Sequence, residues 1–177
     1  MRARRAATIG LSILIVVLVG ISAALGMAYA SMSRSAESAL QRFYASDDAE
    51  EQLMDPLLLS GKTVVPRLTQ EIERKDMPRR RYGIIALGHI GDERAVPVLT
   101  RLAMNPEEED FIRGDALESV ARIDRAAARR LAADFKRRRS SEYEAEIVRE
   151  VLSDSPLKRR TRSQVILGVF HGLLFGD

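Results

Sequence analysis

The chain has 177 residues, with 28 Lys and Arg against 25 Asp and Glu, two His, no Cys and no Trp, which is room for one ordinary domain and a short appendage. Without cysteine it forms no disulfide, thiolate zinc site, iron–sulfur cluster or cysteine nucleophile, and two histidines exclude a multi-histidine metal centre. The net charge of +3 resides in Arg2, Arg4 and Arg5, since the rest of the chain carries as many acidic as basic residues; the high isoelectric point is therefore no nucleic-acid signature.

Behind this basic tip, residues 1–5, the stretch Ala6–Ala30 is uncharged and centred on Ile9–Leu25. At about 1.5 Å per residue, a helix over 6–30 is long enough for a hydrocarbon core of about 30 Å, which predicts a single transmembrane helix. Ala28-Tyr29-Ala30 before Ser31 also suits signal-peptide cleavage, but the stretch exceeds the usual apolar region of roughly 7–15 residues. The retained anchor is the preferred expectation. It makes the chain a single-pass membrane protein with a cytoplasmic N-terminus and an extracytoplasmic C-terminal domain, periplasmic or extracellular.

Residues 31–50 form a polar, partly helical spacer with Ala36, Leu40, Phe43 and Tyr44 on one side, and Ser46-Asp47-Asp48 is a start signal for a helix over 48–59. Residues 51–157 then repeat. Thr63–Thr69 aligns with Arg94–Thr100 at a spacing of 31, and Arg80, Gly83, Leu87 and Ile90 align with Arg113, Ala116, Val120 and Ile123 at a spacing of 33. No segment sustains period-two alternation, so the expected fold is all-α: a short solenoid of helix pairs behind a transmembrane helix. Gly91 suits a left-handed helix end, and Asp92 suits the cap of the helix that follows. Pro97 is expected to bend that second helix at the loss of one backbone hydrogen bond. Further helices are expected over Ile112–Ile123 and Arg125–Phe135 with Asp124 as connector and cap, and Met77-Pro78 and Asn105-Pro106 mark loops.

Ala86-Leu87-Gly88-His89-Ile90-Gly91-Asp92, followed by Ala95-Val96-Pro97 and Leu99, resembles a HEAT-like repeat, of the short class found in bilin (phycobiliprotein) lyase subunits. Arg80 stands at the leading arginine of that pattern and Gly83 replaces its first alanine. Ser119–Asp124 is a degenerate second copy without the glycines, and Leu57–Leu68 is an earlier half-copy. The resemblance spans roughly residues 55–135 and implies a helical scaffold; lyase or ligand-handling activity belongs to a minority of such proteins.

The candidate binding residues are arginines and apolar side chains. Arg80, Arg81 and Arg113 sit at repeating positions and could line one face for a carboxylate-rich partner, or pair internally with Asp76, Asp92 or Asp115. Residues 158–177 combine a basic run, Lys158–Arg162, with an apolar helix too short to span a bilayer. Its Ile166, Phe170 and Leu173 either close the last repeat or dock on a partner, with anionic lipid headgroups as one contact for the basic run. His89 lacks a nucleophile–base partner in the sequence, His171 lies in an apolar run, and Glu107–Asp110 lacks the ligand spacing of a calcium loop. The expectation is therefore a non-enzymatic adaptor or assembly subunit of a membrane complex, with protein partners, no nucleic acid, no metal and no cofactor. A lyase-type or ligand-handling protein and a secreted binding module are the alternatives.

Overall fold

The computed structural model describes residues 15–23, 35–50, 52–137 and 141–175, with side chains in the last helix as far as His171. It is all-helical among these residues. The first long helix, α1 (Ala36–Ala45), starts at Ser35, whose hydroxyl accepts from the Ser38 N–H at 3.1 Å, and buries Ala39, Leu40 and Phe43. Next come α2 (Asp55–Ser60), a 3-10 turn (Gly61–Thr63) and α3 (Val65–Glu71). Pro56 and Pro66 stand in the first turns of α2 and α3, where a missing N–H costs nothing. The helix expected over 48–59 is thus shorter: residues 46–49 are non-helical, Ser46 and Asp48 bond to each other, and the helix begins beside Pro56.

Helix α4 (Arg80–Ile90) ends where Gly91 takes a left-handed conformation at φ +70°. Asp92 accepts the Arg94 N–H at 3.0 Å and opens a 3-10 turn (Glu93–Ala95), which feeds α5 (Val96–Met104). That turn corrects the expectation for Pro97. The proline lies in the first turn of α5, so no bond is lost and no bend is needed. Asp124 separates α6 (Asp110–Ile123) from α7 (Arg125–Arg137) and accepts the Ala127 N–H at 2.9 Å. Helix α8 (Glu142–Leu152) opens with a capping box, in which Ser141 and Glu144 each accept the other's backbone N–H. The last helix is α9 (Arg162–Phe175).

Helix α6 is the hub, packed against α4, α5, α7 and α8. It buries Ile112, Gly114, Asp115, Ala116, Leu117, Ser119, Val120 and Ala121, nearly its whole circumference, as a helix enclosed by neighbours must. Helices α4, α6 and α8 lie side by side as one layer, while α5 and α7 flank α6 from the other side. Contacts advance together along α4 and α6, from Arg81 with Asp115 to Ile84 with Ser119, so these two run in the same direction. The layer is helical-repeat-like, and its core is continuous with α1, α2 and α3 through Phe43, Leu57, Leu68 and Ile84.

The transmembrane expectation is overturned. Among the described residues no helix is long and apolar enough to cross a membrane. In that region the described residues are 15–23, which are helical. The remainder of 6–30 and the tip 1–5 lie outside the described residues, as does the cleavage site after Ala30. The single-pass topology, with its cytoplasmic tip and extracytoplasmic domain, is accordingly withdrawn.

The closest approach in the layer is Gly88 against Ser119. A β-carbon at position 88 would stand 2.8 Å from the Ser119 Cα and from its hydroxyl, which itself donates to the Ile84 carbonyl at 3.0 Å. Because the obstacle is backbone, Gly88→Ala forces α4 and α6 apart and lowers stability by about 1–3 kcal/mol. Gly168→Ala is the contrast: nothing lies within 4 Å of that position, and the better helix former leaves stability unchanged or raises it by up to about 1 kcal/mol. Thermal or urea unfolding of the two variants reads both effects.

Candidate functional site

The outer side of the α4–α6–α8 layer carries the arginines singled out by the repeat, and each meets a carboxylate of the next unit. Arg80 donates through both terminal nitrogens to Glu108, at 2.6 and 2.8 Å, and through Nε to the Ile72 carbonyl at 2.6 Å. Its side chain is only 9% exposed. The hydrogen bond from Arg80 holds the Glu108 carboxyl below the usual range. Arg113 repeats the arrangement one unit later, with Nε 2.7 Å from Glu144 and Nη2 3.1 Å from Asp110. Glu144 is buried and also caps α8. Arg80 and Arg113 therefore face inward as rungs between successive units, and the internal pairing is the one their geometry serves.

Arg81 differs. Its Nε donates to Asp115 at 2.5 Å, its Nη2 donates to the Tyr143 hydroxyl at 3.3 Å, and that hydroxyl donates onward to the other Asp115 oxygen at 2.5 Å. The guanidinium lies 5.7 Å from the Phe111 ring centre and 5.9 Å from that of Tyr143, within cation–π range. Asp115 is buried while the Arg81 side chain stays 44% exposed. The Asp115 hydrogen bond is the main influence raising the arginine's pKa, and burial followed by that same carboxylate pushes the Tyr143 hydroxyl up to about 12. Tyr143 fits here because Gly114 leaves its ring the space of a side chain. Phe111 is 40% exposed, so a fixed cation and two aromatic rings share one outward patch. The sequence reading named Arg81 but missed Phe111 and Tyr143; Phe111 on α6 lies far along the chain from Arg81, Tyr143 on α8 lies 28 residues from Asp115 and 62 from Arg81, and no periodicity of apolar residues selects them.

A second group of charges lies where the chain returns from α8. Arg122 donates to the Lys158 carbonyl at 3.1 Å, and Arg159 donates to the carbonyls of His89 and Ile90 at 3.1 and 3.0 Å. These bonds satisfy open carbonyls at the end of α4. The Arg160 N–H donates to His89 Nδ1 at 2.9 Å, and its guanidinium pairs with Asp55 at 2.9 Å. Helix α9 is thereby delivered to α2, its principal contact, where Val165 is buried. The expectation that α9 closes the last repeat is corrected: it packs on α2, at the other end of the domain. Ile166 packs on the core, Phe170 is half-buried beside the helix of residues 15–23, and Leu167 is exposed. The side chain of Leu173 lies outside the described residues.

No three His, Asp or Glu side chains among the described residues come close enough to hold a metal. His89 serves as a hydrogen-bond acceptor, and His171 is exposed on α9. Comparison with family models, with curated proteins and with solved structures finds no match.

His89 makes this return segment sensitive to acid. Burial first, then Arg122, Arg159 and Arg160, depress its pKa from 6.5 to about 4. A base whose folded pKa is depressed takes up its proton earlier in the unfolded chain, so its contribution is intact above about 6.5 and is lost as pH falls toward 4. Asp55 works the other way: burial, outweighing Arg160, raises it to about 6, which favours the folded state as it protonates. Replacing His89 by Gln, which retains an acceptor, isolates the first effect. The melting temperature of wild type is expected to fall relative to His89→Gln as pH is lowered from 7 toward 4.5, in differential scanning calorimetry at matched salt.

Proposed function

We propose that this chain is a HEAT-like helical-repeat scaffold that binds a protein partner on the outer face of α4, α6 and α8, without a catalytic step of its own. The observation that carries the reading is the Arg81–Phe111–Tyr143 patch. Arginine and aromatic residues are the side chains most enriched where protein interfaces concentrate their binding energy. Here the guanidinium is already oriented by Asp115 and Tyr143, so little side-chain entropy remains to be lost on binding. The rungs Arg80–Glu108 and Arg113–Glu144 beside it support a face whose units keep fixed positions, which a scaffold requires.

Phe111 is the residue to test, because it is exposed and its one contact in the patch is with the Arg81 guanidinium. With the protein expressed in its native host, in-cell cross-linking and quantitative mass spectrometry identify the wild-type partner set. Phe111→Ser is expected to weaken recovery of a true partner by about tenfold or more, the cost of one interface anchor, with an unchanged melting temperature. Arg101→Ala, on the exposed side of α5, is expected to leave it intact. Equal recovery with all three chains rejects the outer face as the binding surface.

A further inference from the structure

Two adjoining hollows of about 430 and 210 Å³ share His89, Arg159 and Arg160 where the return segment crosses the end of α4. Lys158 lines the first and Lys62 the second, and neither is lined by a carboxylate. In a chain whose acidic and basic residues nearly balance, this is a local excess of positive charge assembled from three separate segments: the 3-10 turn after α2, the end of α4 and the approach to α9. Each cation has a different internal duty. Arg160 is paired with Asp55, and Arg159 uses Nε and Nη2 on the carbonyls of α4 and leaves Nη1 out of those bonds. Lys62 and Lys158 are exposed, their backbone carbonyls accept from Arg94 and Arg122, and the Lys62 charge also helps to lower the Asp92 carboxyl.

The geometry points to a binding cleft for a phosphate group, and we propose that Lys62, Lys158 and Arg159 hold it. Arginine supplies a fixed, planar donor and lysine a mobile point charge; together they suit a compact dianion better than a single carboxylate. At the floor of the cleft His89 is depressed by burial first and then by Arg122, Arg159 and Arg160, in keeping with the charge these residues place there. Arg159 is already held in place, because its guanidinium fills the space that a side chain at Gly91 would need. The phosphate could be that of a soluble phosphorylated molecule or of a lipid headgroup, and the recognition chemistry is the same.

The test uses the full chain with imidazole resonances observed by NMR, His171 on α9 serving as the internal control. Inorganic phosphate is titrated near neutral pH against sodium chloride at equal ionic strength. Saturable movement of the His89 resonances beyond that caused by chloride, with a raised His89 titration midpoint, is the expected result. The double variant Lys62→Gln/Lys158→Gln is expected to weaken this response about tenfold while melting as wild type does. Co-sedimentation with phosphatidylcholine vesicles, with and without phosphatidic acid, separates the sources. Binding that needs phosphatidic acid and both lysines identifies a lipid headgroup; a phosphate response without sedimentation identifies a soluble ligand. The proposal is overturned if the double variant matches wild type in both assays, or if phosphate acts no differently from chloride and no lysine-dependent vesicle binding occurs.

Discussion

The seat of α4 on α6 is the constraint on which the remaining geometry depends. Two helices meet there backbone against side chain, with no β-carbon at Gly88 and a small Ser119 opposite, whose hydroxyl is consumed by the Ile84 carbonyl. That separation brings Arg80 to Glu108 and Arg81 to Asp115 at hydrogen-bonding distance. A charged pair as enclosed as Arg80–Glu108 adds little net stability over apolar packing, because desolvation offsets the attraction, yet losing one member costs about 3–5 kcal/mol. The effect of these pairs is therefore on register. A slip of α4 against α6 by one turn would bury Glu108 and Asp115 without their arginines, so the charges exclude the misaligned stacks that small apolar residues alone would tolerate.

The same chemistry shows why the helix ends were readable in one dimension. Helix ends have local signatures, and Gly91, Asp92 and Asp124 all perform the capping roles their types imply. The apolar stripe Ile84, Leu87, Leu99, Leu102 is buried as its spacing requires. Pro97 was misplaced by a single turn, because a 3-10 segment cannot be told from the start of an α-helix by residue type. Charge pairing between units was legible only as a set of alternatives: Asp115 was one of three candidate acids, whereas Glu108 and Glu144 were not among them. Loop and cap acids face whichever way the chain turns, and helical periodicity carries no information about that.

Length and apolarity alone did not establish a spanning helix, for among the described residues no helix is long and apolar enough to cross a membrane. The terminal helix shows the converse limitation. Its composition marked α9 as needing a cover, but the partner that covers Val165 is α2, more than 100 residues earlier. Only the return segment explains that choice. Arg122, Arg159 and Arg160 bind it at three points, to α6, to α4 and to Asp55 of α2.

Those three attachments also set the two ends of the domain apart in their electrostatics. On the outer layer Arg80, Arg81 and Arg113 are each paired with an acid, and Phe111 stands exposed beside Arg81. Around His89 the arrangement is open: carbonyls and a neutral imidazole accept the segment's donors, and positive charge is left over toward solvent. An anion arriving there would relieve repulsion among Lys158, Arg159 and Arg160 and so hold the return segment more firmly on α4. Because that segment positions α9 on α2, ligand occupancy at one edge would tighten the whole N-terminal half of the fold, without any rearrangement of the α4–α6–α8 face.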